Sequence, residues 1–454
     1  MPQNFDAILV GAGQAAPSLA YRLAGAGLKI AFVERHKFGG TCVNTGCTPT
    51  KTWVASARAA HVARRAHDLG IDLSGPVSAD MRRVKARKDT VVHDSSSGVE
   101  SGLRNLSGCT VYGGTATFES AHEMRVGDDL LEAPRIFLNV GARASIPNTP
   151  GLKDTPYLTN SSVLELTTLP EHLIILGGSY IALEFAQIFR RFGSEVTVLE
   201  RSDRILTRED EDVSRTITEF FESEGIRVLT NIKPASVESK NQRVHIRWAQ
   251  TEISGSHLLI ATGRVPNTHD LGLDRAGITP DGGGYIPVND KLETVVPGIW
   301  ALGDCNRRGA FTHTSYNDYE IVAANLLDGE DRKVSDRITA YNIYIDPPLG
   351  RAGMTETEVR NSGRPALKGV RPMTRVSRAV ERGETLGFLK VLVDAETKQI
   401  LGATLLGIEA DEAIHSILDV MYTRKPYTVI THAVHIHPTV SELLPTVLGS
   451  LEPL

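Results

Sequence analysis

Cys42 and Cys47 lie five positions apart within Gly39-Gly40-Thr41-Cys42-Val43-Asn44-Thr45-Gly46-Cys47-Thr48-Pro49-Thr50-Lys51. Two sulfurs at this spacing meet only if the intervening backbone bends, and Gly46 eases the bend. In a reducing compartment a close cysteine pair is more often catalytic or metal-binding than structural. A zinc site needs two further ligands at suitable spacing, and none lie nearby in the sequence. Redox catalysis is the chemistry the pair supports best. Cys109 and Cys305 stand alone and read as small buried hydrophobes. Towards the other end, His432, His435 and His437 form a cluster of possible metal ligands. On a strand, alternation aligns 435 and 437 but not 432, which argues against a metal site there.

These side chains need elements to position them. Residues 5–10, Phe-Asp-Ala-Ile-Leu-Val, read as a buried strand. Gly11-Ala12-Gly13-Gln14-Ala15-Ala16 follows, then a helical pattern to about Leu23, closed by Gly25 and Gly27. A second strand, Ile30–Val33, ends on Glu34. This is a βαβ dinucleotide unit. Gly11, Gly13 and the small Ala15 admit a pyrophosphate to the helix N-terminus, and Glu34 reaches ribose hydroxyls. The unit repeats. Strand Leu173–Leu176 leads into Gly177-Gly178-Ser179-Tyr180-Ile181-Ala182, a helix to Phe192, Gly193, and a strand Val196–Leu199 ending on Glu200. In both repeats the acid lies 23 positions beyond the first glycine. Two such units imply two dinucleotides. Ser179 replaces the middle glycine; its side chain crowds the pyrophosphate approach, and its hydroxyl can donate to phosphate. Glu200 favours the free ribose hydroxyls of NADH, whereas Arg201 and Arg204 just beyond it would accept the extra phosphate of NADPH. The carboxylate at the strand end tips the reading towards NADH.

Between the repeats, helical patterns run from Lys51 to about Leu69 and from Met81 to Leu106, with short strands at Thr110–Tyr112, Thr115–Phe118, Met124–Val126 and Arg135–Val140. The arginines and lysines of these helices read as a solvated face. From about Ser335 the pattern becomes a separate α+β module, with an antiparallel pair Gly387–Val393 and Ile400–Leu406 and a helix Asp411–Tyr422. The 454 residues suffice for two to four domains, and a net charge of −5 calls for neither nucleic acid nor an anionic membrane. The N-terminus carries Asp6 and reads as no signal peptide; the apolar run Leu173–Phe189 is broken by Gly177-Gly178 and contains Glu184 and Gln187, so it reads as no membrane span. The expected location is the cytoplasm.

The cysteine stretch resembles the redox-active disulfide of the class I pyridine nucleotide–disulfide oxidoreductases, the family of glutathione reductase, dihydrolipoamide dehydrogenase and mercuric reductase. Two further motifs carry the resemblance: Gly298-Ile299-Trp300-Ala301-Leu302-Gly303-Asp304, and His435-Ile436-His437-Pro438-Thr439-Val440-Ser441-Glu442. The resemblance implies an α/β fold with two Rossmann-like domains and a C-terminal α+β dimerisation domain. It places FAD at residues 1–148 and 266–334, NADH or NADPH at 149–265, and the dimer interface at 335–454. Around FAD it places Gly40, Thr41, Lys51, the strand containing Ala116, the turn at Gly141 and Asp304, which accepts from ribityl hydroxyls. Leu258–Asn267, containing Gly263, is the return strand between the domains. A helix beginning near Thr314 directs its N-terminal dipole at the flavin.

The roles follow from the same resemblance. Cys47 lies against the flavin as the charge-transfer thiolate and Cys42 attacks the substrate. Lys51 pairs with Glu184 beside the flavin, and Tyr180 gates the nicotinamide pocket. His437, followed by a cis proline and oriented by Glu442, is the acid/base, acting on the other subunit of a homodimer. The expected substrate is a small disulfide or a soft metal ion, with no resident metal. Phe311-Thr312-His313-Thr314 and Pro347-Pro348-Leu349-Gly350-Arg351 look like the bacterial reactive-chlorine-resistance flavoproteins, which reduce copper. The ending Ser450-Leu451-Glu452-Pro453-Leu454 lacks the cysteine pair of mercuric reductase. Mercuric reductase without that pair, an enzyme of the dihydrolipoamide dehydrogenase or glutathione reductase type, and a non-enzymatic flavin-binding sensor are the alternatives.

Overall fold

The computed structural model describes residues 2–454. In the first unit, Ala7–Val10 (β1), Ala16–Gly25 (α1) and Ile30–Glu34 (β2) form the expected βαβ turn. Helices Gly40–Thr45 (α2), Cys47–Arg64 (α3) and Met81–Arg104 (α4) precede strand Cys109–Gly113 (β3). Strand Ile136–Leu138 (β4) and the later strand Ile299–Ala301 complete a five-stranded parallel sheet. Both faces of this sheet are covered, so β1 and β2 are apolar and buried along almost their whole length. An antiparallel meander packs beside it, and includes a strand Asp129–Glu132 that the sequence pattern did not reveal.

The second unit repeats this architecture. His172–Leu176 (β5), Tyr180–Phe192 (α5), Glu195–Leu199 (β6), Glu211–Ser223 (α6), Ile226–Leu229 (β7) and His257–Ile260 (β8) build a four-stranded parallel sheet with its helices. The expected return strand is in fact two strands. β8 ends at Ile260, and Arg264–Pro266 (β9) pairs antiparallel with Ala142–Ala144. The chain therefore leaves and re-enters the first unit through one paired crossing. Ile299–Ala301 (β10) returns to the first sheet, and helix Thr312–Ala323 (α7) follows it. This helix starts two residues before the expected Thr314, because the Thr314 hydroxyl accepts the Phe311 amide at 3.1 Å and closes the turn from inside.

The last unit is a six-stranded antiparallel sheet including Leu349–Gly353, Phe388–Asp394 and Ile400–Leu406, backed by Ala410–Thr423. The segment holding His435 and His437 is irregular and follows a one-turn helix at Thr428–Thr431, so the strand alternation expected there is not realised. Cys305 is fully buried as expected, whereas Cys109 is only half-buried on an edge strand. Among the described residues no helix is long and apolar enough to cross a membrane.

Buried charges join the units. Arg351 of the last unit, 1% exposed, pairs with Glu209 of the second. Lys390 reaches Asp210 and Asp212 at 2.9 Å each. Arg191 of α5 and Arg58 of α3 converge on Asp346. Removing one partner of such a pair leaves a buried charge uncompensated and costs on the order of 3–5 kcal/mol. Arg351→Met should therefore lower the thermal unfolding midpoint markedly, and adding Glu209→Gln should recover part of the loss. A wild-type melting curve for the single variant, followed by circular dichroism, would show that the pair contributes nothing.

Candidate active site

One cleft of about 1220 Å³ runs from Glu34 past Gly11, Gly13, Ala116, Gly141 and Asp304 to Cys42, Cys47, Lys51, Tyr180, Ile181 and Glu184. Gly40 and Thr41 also line it. The structure thus brings into one space most of the residues singled out from the first unit and from α5. Ala15 lies buried at the start of α1, beneath the cleft rather than in it. Gly177, Ser179, Glu200, Arg201 and Gly263 do not line this cleft; the first four surround the second glycine turn. His437 and Glu442 do not line it either.

The redox helix and the second unit meet at an ion pair between a half-buried lysine and a buried glutamate. Lys51 stands one turn after Cys47 on α3, and its Nζ donates to both Glu184 oxygens at 2.8 and 2.9 Å. The Tyr344 amide donates to Glu184 Oε1 at 2.9 Å, and the Lys51 ammonium lies 4.8 Å from the Tyr344 ring centroid. Burial pulls the Lys51 ammonium down, but the Glu184 carboxylate more than reverses this, and the net shift is upward.

Cys42 and Cys47 are both free thiols, at the start of neighbouring helices. The two thiols are coupled in their titration, and Cys47 Sγ lies 3.3 Å from Thr312 Oγ1. The neighbouring Cys42 thiol holds Cys47 down to about 6, opposed by burial and helped by the Thr312 hydroxyl and the Lys51 charge. The Cys47 sulfur and burial push Cys42 up, against the Thr312 hydroxyl and the Lys51 charge, which lower it too. The pair titrates as a unit, with the first proton leaving from Cys47.

Two acids perform one structural task in the two repeats. Glu34 accepts from the Ala12 and His36 amides, both at 2.7 Å. Glu200 accepts from the Gly178 amide at 2.6 Å and the Ser202 amide at 2.7 Å. At Gly11, whose φ is +90°, a Cβ would stand 2.5 Å from the Asn139 carbonyl, and at Gly177 one would stand 2.3 Å from the Ala261 carbonyl. Both turns therefore present bare backbone over a helix N-terminus, which suits a pyrophosphate. Asn44 Oδ1 and Arg264 Nε, buried without a protein partner, line the first cleft and offer it polar groups. The residues present fit FAD in the first unit and a nicotinamide nucleotide in the second. The Ser179 side chain is exposed at the second glycine turn and caps no backbone amide. Arg201 is exposed, while one Arg204 nitrogen, Nη2, donates to the Thr207 and Glu209 carbonyls at 3.3 and 3.2 Å.

Asp304 is partly buried, which raises its carboxyl, and Arg264 opposes the shift from 3.3 Å. Arg264, Thr312, Tyr344 and Tyr341 were not singled out from sequence. Arg264 and Thr312 sat inside quoted motifs; nothing local marked the tyrosines. At the far end, His437 Nδ1 lies 3.0 Å from Glu442 Oε2, and the His437–Pro438 bond is cis. A ring nitrogen facing a carboxylate carries the proton, so Nε2 is left as the outward acceptor. The imidazole is 71% exposed in the single chain. Among the described residues no group of three or more His, Cys, Asp or Glu side chains is placed to hold a metal ion.

Two tandem dinucleotide folds meeting at a close dithiol define a flavin- and nicotinamide-dependent disulfide oxidoreductase. The chain belongs to the pyridine nucleotide-disulphide oxidoreductase family, whose model matches residues 5–318, with the family's dimerisation domain at 339–448. The family is one of enzymes, and FAD and NADH or NADPH are its cofactors. The probable pyridine nucleotide-disulfide oxidoreductase RclA of Escherichia coli K12 is 35% identical over 449 residues, 97% of this chain and 98% of that protein. The mercuric reductase of Bacillus cereus is 31% identical over 417 residues, 91% of this chain and 66% of that protein. The copper(II) complex of the HOCl-induced flavoprotein disulfide reductase RclA of E. coli superposes with a TM-score of 0.91 at 34% identity, covering 98% and 99% of the two chains.

The coupled thiols make a pH-dependent signature. Alkylation of the reduced protein by iodoacetamide should rise with pH through a midpoint near 6, because only the thiolate reacts, and then level off with the label on Cys47. Cys42→Ser removes the neighbouring thiol that holds Cys47 down and should move the midpoint upwards. A midpoint near the ordinary thiol value of about 8.5 in the parent protein would contradict this geometry.

Proposed function

We propose that the protein is an NADH- or NADPH-dependent flavoprotein reductase that passes electrons through Cys42 and Cys47 to a small disulfide or soft metal ion. The observation that carries this reading is the meeting, in one cleft, of the dithiol, the Lys51–Glu184 pair and Tyr180, between two glycine turns that fit dinucleotides. The three units serve as the FAD domain (1–148 and 266–334), the nicotinamide domain (149–265) and the interface domain (335–454).

FAD, when bound, accepts a hydride from the nicotinamide nucleotide and hands two electrons on to sulfur. The chain's own residues do the rest. Tyr180 covers the approach from the nicotinamide side. Lys51, kept charged by Glu184, sets a fixed positive charge beside the cysteines. Two electrons and one proton convert the disulfide into a Cys42 thiol and a Cys47 thiolate. Cys42 Sγ then attacks the acceptor, and His437, whose Nε2 is free while Glu442 holds Nδ1, takes and returns the proton. The outward exposure of His437 and the dimerisation domain support a homodimer in which this imidazole serves the partner's cysteines. Glu442→Ala should lower kcat by about 10- to 100-fold with FAD content unchanged, a part of the roughly 10²- to 10⁴-fold that a general acid/base contributes. Unchanged kcat in stopped-flow turnover would remove His437 from this role.

For the acceptor, a metal ion is favoured by the copper(II) complex formed by RclA, and a disulfide by that protein's name as a disulfide reductase. Mercuric reductase is the second reading, supported by the identity to the Bacillus cereus enzyme. NADH is favoured over NADPH, because the Glu200 carboxylate repels a ribose phosphate and Arg204 Nη2 is turned to the Thr207 and Glu209 carbonyls. The test is a side-by-side panel of NADH oxidation with cupric ion, oxidised glutathione, lipoamide and mercuric ion, the last with excess thiol. We expect cupric ion or one disulfide to give the highest kcat/KM and NADPH to be the poorer donor. A wide margin for mercuric ion would replace this acceptor assignment, and no NADH oxidation with any acceptor would overturn the redox reading itself.

A further inference from the structure

His313 follows Thr312, the residue that touches Cys47, at the start of α7, and its Nε2 stands 2.7 Å from the Ala340 carbonyl oxygen. A carbonyl only accepts, so Nε2 carries the proton and Nδ1 of the neutral ring keeps its lone pair. The Ala340 bond is the one hydrogen bond this ring makes among the described residues. The ring also lies near-parallel to Phe311 at 5.4 Å, and Phe311 in turn to Tyr341 at 5.3 Å, so packing and the Ala340 bond together set its orientation. Burial lowers the His313 imidazole, against the Ala340 carbonyl, and keeps the ring neutral at neutral pH. His415, exposed on the helix Ala410–Thr423, lines the same cleft, close enough that a charge on it depresses His313 further. The other cation acting on His313, Arg337, is paired with the Asp318 carboxylate. The cleft's third histidine, His36, lies at the far end beside Glu34. Its cysteines are Cys42 and Cys47 alone, since Cys109 and Cys305 lie outside it.

We propose that His313 and His415 form a landing site for copper(II) at the exposed end of the cleft, from which the ion passes to Cys42 and Cys47. The inference rests on the reading of the dithiol as a reductant of a soft metal ion, and it names the groups that first hold that ion. Imidazole nitrogen suits copper(II) and thiolate suits copper(I), so the ion changes partners as it is reduced. Two copper(II) ions, arriving in turn, take one electron each. The Cys42 thiol and the Cys47 thiolate lose those two electrons, form the disulfide and release one proton. With no relay cysteine in the cleft, the imidazoles are the groups that can hold the ion before the sulfurs do. The Ala340 carbonyl does for His313 what backbone oxygens do for metal-bound histidines, fixing the tautomer and the plane of the ring. Two imidazoles completed by water make a loose set, consistent with the absence of any three-ligand group among the described residues. Such a set suits an ion in transit rather than a resident one.

The test uses the FAD-loaded protein carrying Cys42→Ser and Cys47→Ser, so that any copper it holds is held by other groups. Copper(II) is added to one equivalent per chain. Affinity is read by competition with glycine, and bound nitrogen by superhyperfine splitting in electron paramagnetic resonance. The splitting of imidazole nitrogen should appear. His313→Gln should weaken binding by about tenfold or more, since even a residue that only supports a metal ligand is worth about 10- to 100-fold. The glutamine amide stands where Nε2 stood and keeps the bond to Ala340, so the loss reports Nδ1. His415→Gln should weaken binding to the same degree, and His435→Gln should not. FAD absorbance reports an intact fold, and the oxidised parent protein, its sulfurs tied up as the disulfide, carries the same titration should the double substitution disturb the site. Unchanged affinity in the His313 or the His415 variant overturns the proposal, as does copper lost with His435→Gln in their place. With the cysteines present, both variants should raise the KM for cupric ion about tenfold, because capture is lost and the electron step is not. If cupric ion is no acceptor at all, the metal-ion reading falls and the titration still decides the landing site. If cupric ion is reduced with the parent KM in both variants, that reading stands and the landing site falls.

Discussion

The structure depends most on the ion pair between Lys51 and Glu184. Lys51 sits one turn beyond Cys47, and Glu184 one turn beyond Tyr180, so the pair joins the helix that carries the sulfur to the helix that carries the gate. The buried Glu184 carboxylate could not be kept alone at this depth, because an isolated ion in a low-dielectric interior is expensive. The third unit closes the arrangement with the Tyr344 amide. One interaction therefore requires all three units to be folded and docked, and it places a fixed positive charge within reach of the dithiol.

The other buried charges follow the same logic at greater distance. Arg58 and Arg191 share Asp346, which joins α3, α5 and the last unit a turn or two below the Lys51 pair. Arg351 and Glu209 fix the other side, where Tyr341 and Phe311 form the cleft wall. Pairs of this kind add little net stability compared with apolar packing, but they specify geometry strongly, since a misplaced partner leaves an unpaired charge. A site assembled from three units needs that kind of specification more than it needs extra stability.

What sequence made legible was local. The two glycine turns, their strands and the acids at positions 34 and 200 follow from period and spacing, and the structure shows the acids making matching pairs of amide contacts. The histidine at 437 and the glutamate at 442 are five residues apart and also meet as expected. Tertiary contacts left weaker traces. The Lys51–Glu184 pair spans 133 positions and was reached only through resemblance. Tyr341 and Tyr344 have no motif, and act through packing against residues far away in the chain. The histidine segment reads as a strand only if alternation is assumed; Pro438 and the short helix before it prevent one. The start of α7 was misplaced by two residues because Thr314 looks like a cap and acts as one from inside the first turn.

The two repeats also show how one motif is adapted to two duties. In the first, Asn139 Oδ1 accepts from the amides of Ala15 and Ala16 at 3.3 Å, and a Cβ at Gly13 would stand 2.5 Å from that oxygen. Pro17 lacks the amide hydrogen that Leu183 donates to the Ser179 carbonyl at 3.1 Å in the second repeat. The first helix consequently begins five residues after its leading glycine and the second only three. In the second repeat Ala261 occupies the place of Asn139 against the leading glycine, so no side-chain oxygen competes for the helix amides and a residue larger than glycine is accommodated at 179. The middle glycine is thus required at 13 by the asparagine beside it, not by the dinucleotide alone. Where the asparagine is absent the requirement lapses, and the helix end keeps its first-turn amides for an incoming anion.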